Sequence, residues 1–159
     1  MSNDNYIKML RESLGKKISL LDVLVGLNRQ QEQILINPDS SPDELDKNLS
    51  EKDDIISQLN SLDEGFEALF GRVEKELNAN KEHYSDDIRA MKEMITEITD
   101  KSARIRRQEK DNYALAAKKF SSIRDSVQKI RQSQKVVSKY YQSMGRMTNY
   151  EPQFLDDKQ

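Results

Sequence analysis

The sequence predicts an all-α protein, an elongated antiparallel three-helix bundle or coiled coil with a long third helix and a short C-terminal tail. Three observations predict it. The stretch from Glu82 to Met144 holds no proline and no glycine, and apolar or small residues recur through it at spacings of mostly three and four: Tyr84, Ile88, Met91, Ile95, Ile98, Ser102, Ile105, then Tyr113, Ala116, Phe120, Ile123, Val127, Ile130, Val137, Tyr141 and Met144. That spacing marks one face of a helix or a coiled-coil seam. Charged residues make up 34% of the chain and hydrophobic ones 35%, where a globular domain averages ~25% and ~45–50%. The excess charge reads as solvated helix surface around a thin core, and the five glycines and three prolines in 159 residues leave few places for the chain to break.

The first helix is expected from Asp4 to about Ile36. Ile7, Leu10, Leu14, Leu21, Leu24 and Leu35 lie on one heptad seam, which also carries Lys17, Asn28 and Gln31. A second row, Ile18, Leu20, Val25, Leu27 and Ile34, widens the stripe enough to face two neighbours. Polar seam residues of this kind set register or border solvent.

Asn37-Pro38-Asp39-Ser40-Ser41 is a turn. Ser41 then has the position of an N-cap, Pro42 that of the first helical residue, and Glu44 completes a capping box. The second helix is expected over 42–78, antiparallel to the first because the turn is short. It carries Leu45, Leu49, Ile55, Ile56, Leu59, Leu62, Phe66, Leu69, Val73 and Leu77. Ser61 and Glu64 repeat the capping-box spacing and Gly65 weakens a helix, so a kink is open there, although the apolar phase continues through it. Asn78-Ala79-Asn80 is the second turn.

The third helix is expected over about 82–144, roughly 95 Å if unbroken. Gly145 and the polar Thr148-Asn149 end it, and Pro152 keeps it from resuming. Residues 1–147 read as a single helical bundle and 148–159 as a flexible acidic tail. The apolar tail residues Tyr150, Phe154 and Leu155 leave a second reading open, a peptide that docks on its own bundle or on a partner.

The composition excludes several classes. No cysteine is present, so disulfide and thiolate chemistry are absent and a reducing cytosol fits. His83 is the only histidine, which leaves no zinc set. Asp53-Asp54 and Asp86-Asp87 are adjacent in helix and point apart, as on a solvated face. Gly65 and Gly71 make no phosphate loop. We therefore expect no catalysis, no metal and no cofactor. The N-terminus has no signal-peptide pattern, no apolar run is long enough for membrane insertion, and the expected location is cytoplasmic.

Charge is polarised. Residues 1–100 hold 12 Lys/Arg against 22 Asp/Glu, and residues 101–147 hold 13 against 3. Acidic helices packing on a basic one, an acidic protein partner and nucleic acid are the available readings. Lys101, Arg104, Arg106, Arg107 and Lys110 spread around the helix with Glu97, Asp100, Glu109 and Asp111 among them and no stacking aromatics, which argues against nucleic acid.

Helix lengths pose the functional question. The first two helices span roughly 50 and 55 Å. A third helix packed on the second runs out near residue 118, and about 25 residues then project with their apolar stripe, the usual mark of an interaction surface. The helix breaks near Ser121-Ser122 or Asp125-Ser126 and folds back, or two copies pair as a homodimer, or a partner helix lies in the groove.

Leu45, Leu49-Ser50-Glu51-Lys52, Ile55-Ile56, Leu59 and Leu62 are similar to the second helix of FlgN-type flagellar export chaperones. Asp100-Lys101-Ser102, Ile105, Gln108-Glu109, Asn112 and Leu115 resemble the opening of their long third helix, and Glu151-Pro152-Gln153-Phe154-Leu155 resembles tails of flagellar relatives. The resemblance spans residues 4–155. It implies a cytosolic chaperone that binds the C-terminal helical segments of hook-associated proteins, which form the hook–filament junction, and delivers them to the flagellar type III export gate. It also implies a late tyrosine that docks to the gate, for which Tyr140, Tyr141 and Tyr150 are the candidates. On that reading Phe120, Ile123, Val127, Ile130, Val137, Tyr141 and Met144 bind the client helix, and Lys118, Lys119, Arg124, Lys129, Arg131 and Lys135 form a cationic rim for acidic client residues. The alternatives are a structural coiled-coil homo-oligomer or adaptor and, further off, a nucleic-acid-associated protein.

Overall fold

A computed structural model describes residues 3–130 and 134–149, and among these the only regular elements are helices. Four of them follow one another among the described residues: α1 (Asn3–Ile36), α2 (Pro42–Ala79), α3 (Ser85–Ile130) and α4 (Gln134–Asn149). The start of α2 is set locally. Ser41, in an extended conformation, accepts from the Glu44 amide at 3.3 Å, and the Glu44 carboxylate accepts from the Ser41 amide at 3.2 Å, which satisfies two otherwise orphaned donors. The helix then runs unbroken through Gly65 to Ala79, because Leu59, Phe66, Leu69 and Val73 keep their packing phase on either side of the glycine.

The wide stripe of α1 packs against both α2 and α3. Polarity follows from the clusters. Ile7, Leu10 and Leu14 meet Val73, Leu77, Tyr84 and Met91 at the lower end, and Leu35 meets Leu45, Leu49, Ala116 and Phe120 at the upper end, so α2 descends and α3 rises parallel to α1. A third cluster, Leu21, Leu24, Val25, Leu59 and Ile105, lies between. The length comparison supposes a third helix packed along the second; α3 instead leans on α1, and the Cα atoms of α2 and α3 nowhere come within 8 Å of each other among the described residues.

Between the middle and upper clusters the core turns polar. Asn112 donates to the Asn28 carbonyl at 2.9 Å and to Gln31 at 3.1 Å, and Gln31 donates to Asn48 at 3.0 Å, which donates to the Leu27 carbonyl at 2.9 Å. Asn28 and Gln31, the polar seam residues of α1, are buried here, and Lys52 pairs with Glu109 beside them. Lys17 pairs with Asp63 across α1 and α2 at 2.7 Å.

The expected single helix over 82–144 is two helices. The chain turns back after Ile130, later than Ser121-Ser122 or Asp125-Ser126. Arg131-Gln132-Ser133-Gln134-Lys135 interrupts the apolar stripe there, so a straight helix has little to bury across that interval, and by reversing direction α4 covers Tyr140 and Met147. α4 then passes through Gly145 to Asn149. A mid-helix glycine costs about 1 kcal/mol, and residues beyond it supply tertiary contacts that hold the helix on: Met147 is buried in the upper cluster and Arg146 pairs with Asp46 and Asp53. No helix among the described residues is long and apolar enough to cross a membrane.

Candidate partner-binding site

The upper end of the bundle is where the third helix outruns the other two. Lys119 fixes the level, since its ammonium donates to the Asn37 carbonyl in the α1–α2 turn at 2.7 Å. Residues 121–130 therefore overhang that turn by about 15 Å, and α4 returns beside them. The two helices form an antiparallel hairpin whose lower part closes the upper cluster between α2 and α3.

The residues named from the sequence divide into three groups. Phe120, buried to 9% exposure, joins Leu35, Leu45 and Leu49, with Ile123 and Met144 packed against the same cluster. Tyr141 is 53% exposed and meets the Phe120 ring edge-on, the centroids 4.1 Å apart. The side chains of Val127, Ile130 and Val137 lie outside the described residues, as do those of Lys129, Arg131 and Lys135 and all of Tyr150. The stripe left over in the length comparison is thus covered in part by the chain's own last helix.

The cations differ from one another as well. Lys118 is exposed. Lys119 is tied to the turn, and burial pushes its ammonium below the ordinary value. Arg124 lies over the Phe120 ring, 5.8 Å from its centroid, a cation–π geometry. Of the tyrosines, Tyr140 is buried at 4% exposure and donates to the Ser40 carbonyl at 3.3 Å, with burial raising its phenol pKa. Tyr141 faces solvent.

Sequence reasoning missed the groups that fasten α4. Lys139 reaches Asp43 at 2.7 Å, and Arg146 pairs with Asp46 and, at 2.8 Å, with Asp53. That hydrogen bond lowers the Asp43 carboxyl and raises the Lys139 ammonium. A signal existed: Lys139 and Arg146 are seven apart, as are Asp46 and Asp53, so two basic positions on one helix face can meet carboxylates on one face of another. Lower down, Lys101 binds Asp22 at 2.5 Å and Glu97 at 3.6 Å. Lys101, Lys139 and Arg146 thereby satisfy part of the charge polarisation within the chain.

His83 is exposed near Asp4, at 3.9 Å, and no group of His, Cys, Asp or Glu suited to a metal occurs among the described residues. What the hairpin offers is apolar and aromatic surface edged with positive charge.

No curated protein and no solved structure matches the chain. The model of the FlgN protein family matches residues 1–149, which takes in all four helices, and the chain therefore belongs to the FlgN family of flagellar export chaperones.

Proposed function

We propose that the protein is a cytoplasmic chaperone that binds the C-terminal helical segments of hook-associated proteins and delivers them to the flagellar type III export apparatus. The observation that carries this reading is the overhang. A hairpin of α3 and α4 continues about 15 Å past the α1–α2 turn, with Tyr141 exposed on top of Phe120 and cations in the adjoining sequence. A client helix docks along the hairpin seam on Phe120 and Ile123 from α3 and on Tyr141 and Met144 from α4. Val127, Ile130 and Val137 extend the same apolar track by their spacing. Because Phe120 and Met144 are already in contact within the chain, the client enters through Tyr141 and widens the seam, shifting α4 outward. Lys118, Arg124, Lys129, Arg131 and Lys135 draw an acidic client to the site and set its orientation. Lys119 is held by the turn and contributes least to this rim. Among the gate-docking candidates Tyr141 is accessible in the described state, whereas Tyr140 is internal.

The test is a calorimetric titration of a hook-associated protein's C-terminal helical segment into the wild type, Tyr141→Ala and Val127→Asp/Ile130→Asp. Tyr141→Ala should keep its helical circular dichroism and lose affinity by roughly 30-fold or more, as for a central aromatic anchor worth ≥2 kcal/mol. The double aspartate should bind more weakly still. Unchanged affinity in both folded variants would place the client elsewhere.

A further inference from the structure

The apolar stripe of α3 continues in phase into α4. From Ala116, alternating steps of four and three residues lead through Phe120 and Ile123 to Ile130, and on to Val137, Tyr141 and Met144. The five polar residues 131–135 remove only one step of that row, at Gln134. This is a heptad pattern, and it suits one straight helix as well as two. No glycine or proline occurs between Gly71 and Gly145, so the composition around the reversal does not oppose a straight helix.

The row is also symmetric about Ile130. Reflection there pairs Ala116 with Met144 and Ile123 with Val137, and, one residue off, Phe120 with Tyr141. The last pair is in contact, with ring centroids 4.1 Å apart. The antiparallel register of α3 on α4 is therefore the register in which the stripe complements itself.

A self-complementary antiparallel stripe can be satisfied in two ways. Within one chain α4 turns back on α3, as described above. Between two chains α3 and α4 run straight, and α4 of each copy lies on α2 and α3 of the other, which is a domain swap. The contacts that fasten α4 carry over to the second copy. Lys139 still finds Asp43, Arg146 finds Asp46 and Asp53, Tyr140 finds the Ser40 carbonyl, and Met147 enters the upper cluster. The receiving surface thus already matches its occupant in charge and in apolar packing. The straight pair adds one layer, in which Ile130 meets Ile130 of the second copy at the centre of the reflection.

We propose that two copies of the chain pair head to head by exchanging α4, each through a straightened α3–α4 helix of roughly 100 Å. The candidate partner-binding site is then built from both chains, with Phe120 and Ile123 from one copy and Tyr141 and Met144 from the other.

Charge reversal in two separate full-length variants tests the exchange. Asp43→Lys/Asp46→Lys inverts the receiving surface, and Lys139→Glu/Arg146→Glu inverts α4. Each variant alone is mispaired, whether its α4 turns back or is exchanged between identical copies. Mixed, each accepts the α4 of the other with opposite charges facing. Sedimentation of the equimolar mixture should show a 1:1 heterodimer that is tighter than the self-association of either variant by about tenfold or more. Wild type alone should show a dimer fraction that rises with concentration. Ser133→Pro in both variants should abolish the heterodimer, because proline breaks a straight helix at that point but is tolerated ahead of α4. A mixture that stays monomeric, or a wild type that is monomeric at every concentration, would overturn the proposal. A heterodimer unaffected by Ser133→Pro would assign the pairing to another face and overturn it equally. No client enters the experiment, so its failure leaves the client reading standing.

Discussion

Lys52 Nζ lies 2.7 Å from Glu109 Oε1, with side-chain exposures of 0% and 6%, and joins α2 to α3 at the level where the core turns polar. Burial pushes the Lys52 ammonium below its ordinary value, and the Glu109 carboxylate pulls it back. Lys52→Met should therefore destabilise the fold by roughly 3–5 kcal/mol, because it leaves a carboxylate buried without its counter-ion. Lys52→Met/Glu109→Leu should regain that loss and equal or exceed the wild type. Urea denaturation of the three proteins checks both; a double variant as unstable as the single one would mean that the pair does more than neutralise itself.

The capping box at the head of α2 gives a second expectation. Ser41→Ala removes the side-chain acceptor of the Glu44 amide and should lower stability by roughly 0.5–2 kcal/mol. Its effect should appear in the upper end of the bundle, since Leu45 and Leu49 one and two turns later belong to that cluster. Hydrogen exchange of the α2 amides measures this, and protection that falls evenly along α2 would argue against a local cap.

Gly65 offers a stabilising substitution. It lies inside a continuous helix, and a Cβ built there meets nothing within 4 Å. Gly65→Ala should raise stability by about 0.5–1 kcal/mol through the lower conformational freedom of the unfolded chain. A lowered melting temperature would show that α2 bends at this point in solution.

The fourth expectation concerns pH. Asp43, whose carboxyl is held below its ordinary 3.8 by the bond from Lys139, contributes stability that is present above 3.8 and is lost as pH falls through its lowered value. Lys139, raised above 10.5 by the same bond, contributes stability that is present below 10.5 and is lost as pH rises through its raised value. The attachment of α4 should therefore be even between about pH 5 and 9 and loosen at both extremes. Methyl NMR separates the two ends of the molecule: the Met147 signal should move on acidification before that of Met91, and Asp43→Asn should shift it already at neutral pH. Met91 and Met147 moving together would mean global unfolding instead.

Much of the architecture is readable from apolar spacing, because α1 and α2 are long, regular and bounded by strong signals at Pro38 and Ser41. The broad stripe of α1 already requires two neighbours, and α2 and α3 are those neighbours. Two features were less legible. The reversal after Ile130 has no glycine or proline to mark it, only five consecutive polar residues, and such a run also occurs on straight helices. The choice of α1 over α2 as the seat of α3 depends on side-chain hydrogen bonds such as Asn112 to Asn28 and Lys101 to Asp22, which link residues about 80 positions apart. At the candidate site, spacing identified the stripe but could not separate Phe120, which faces inward, from Tyr141, which lies at its edge. Adjacent tyrosines at 140 and 141 differ by about 100° around the helix axis, and only the position of α2 decides which of them is covered.

The return of α4 also fixes when the upper end can close during synthesis. Tyr140 reaches back to Ser40 and Arg146 to Asp46, each across 100 positions of sequence. The hairpin of α1 and α2 is complete once residue 79 has left the ribosome, and α3 can zip onto α1 from the bottom as it emerges. Leu45 and Leu49 must wait for almost the whole chain. For a polypeptide extended at 5–20 residues per second, that leaves their apolar surface partly uncovered for several seconds.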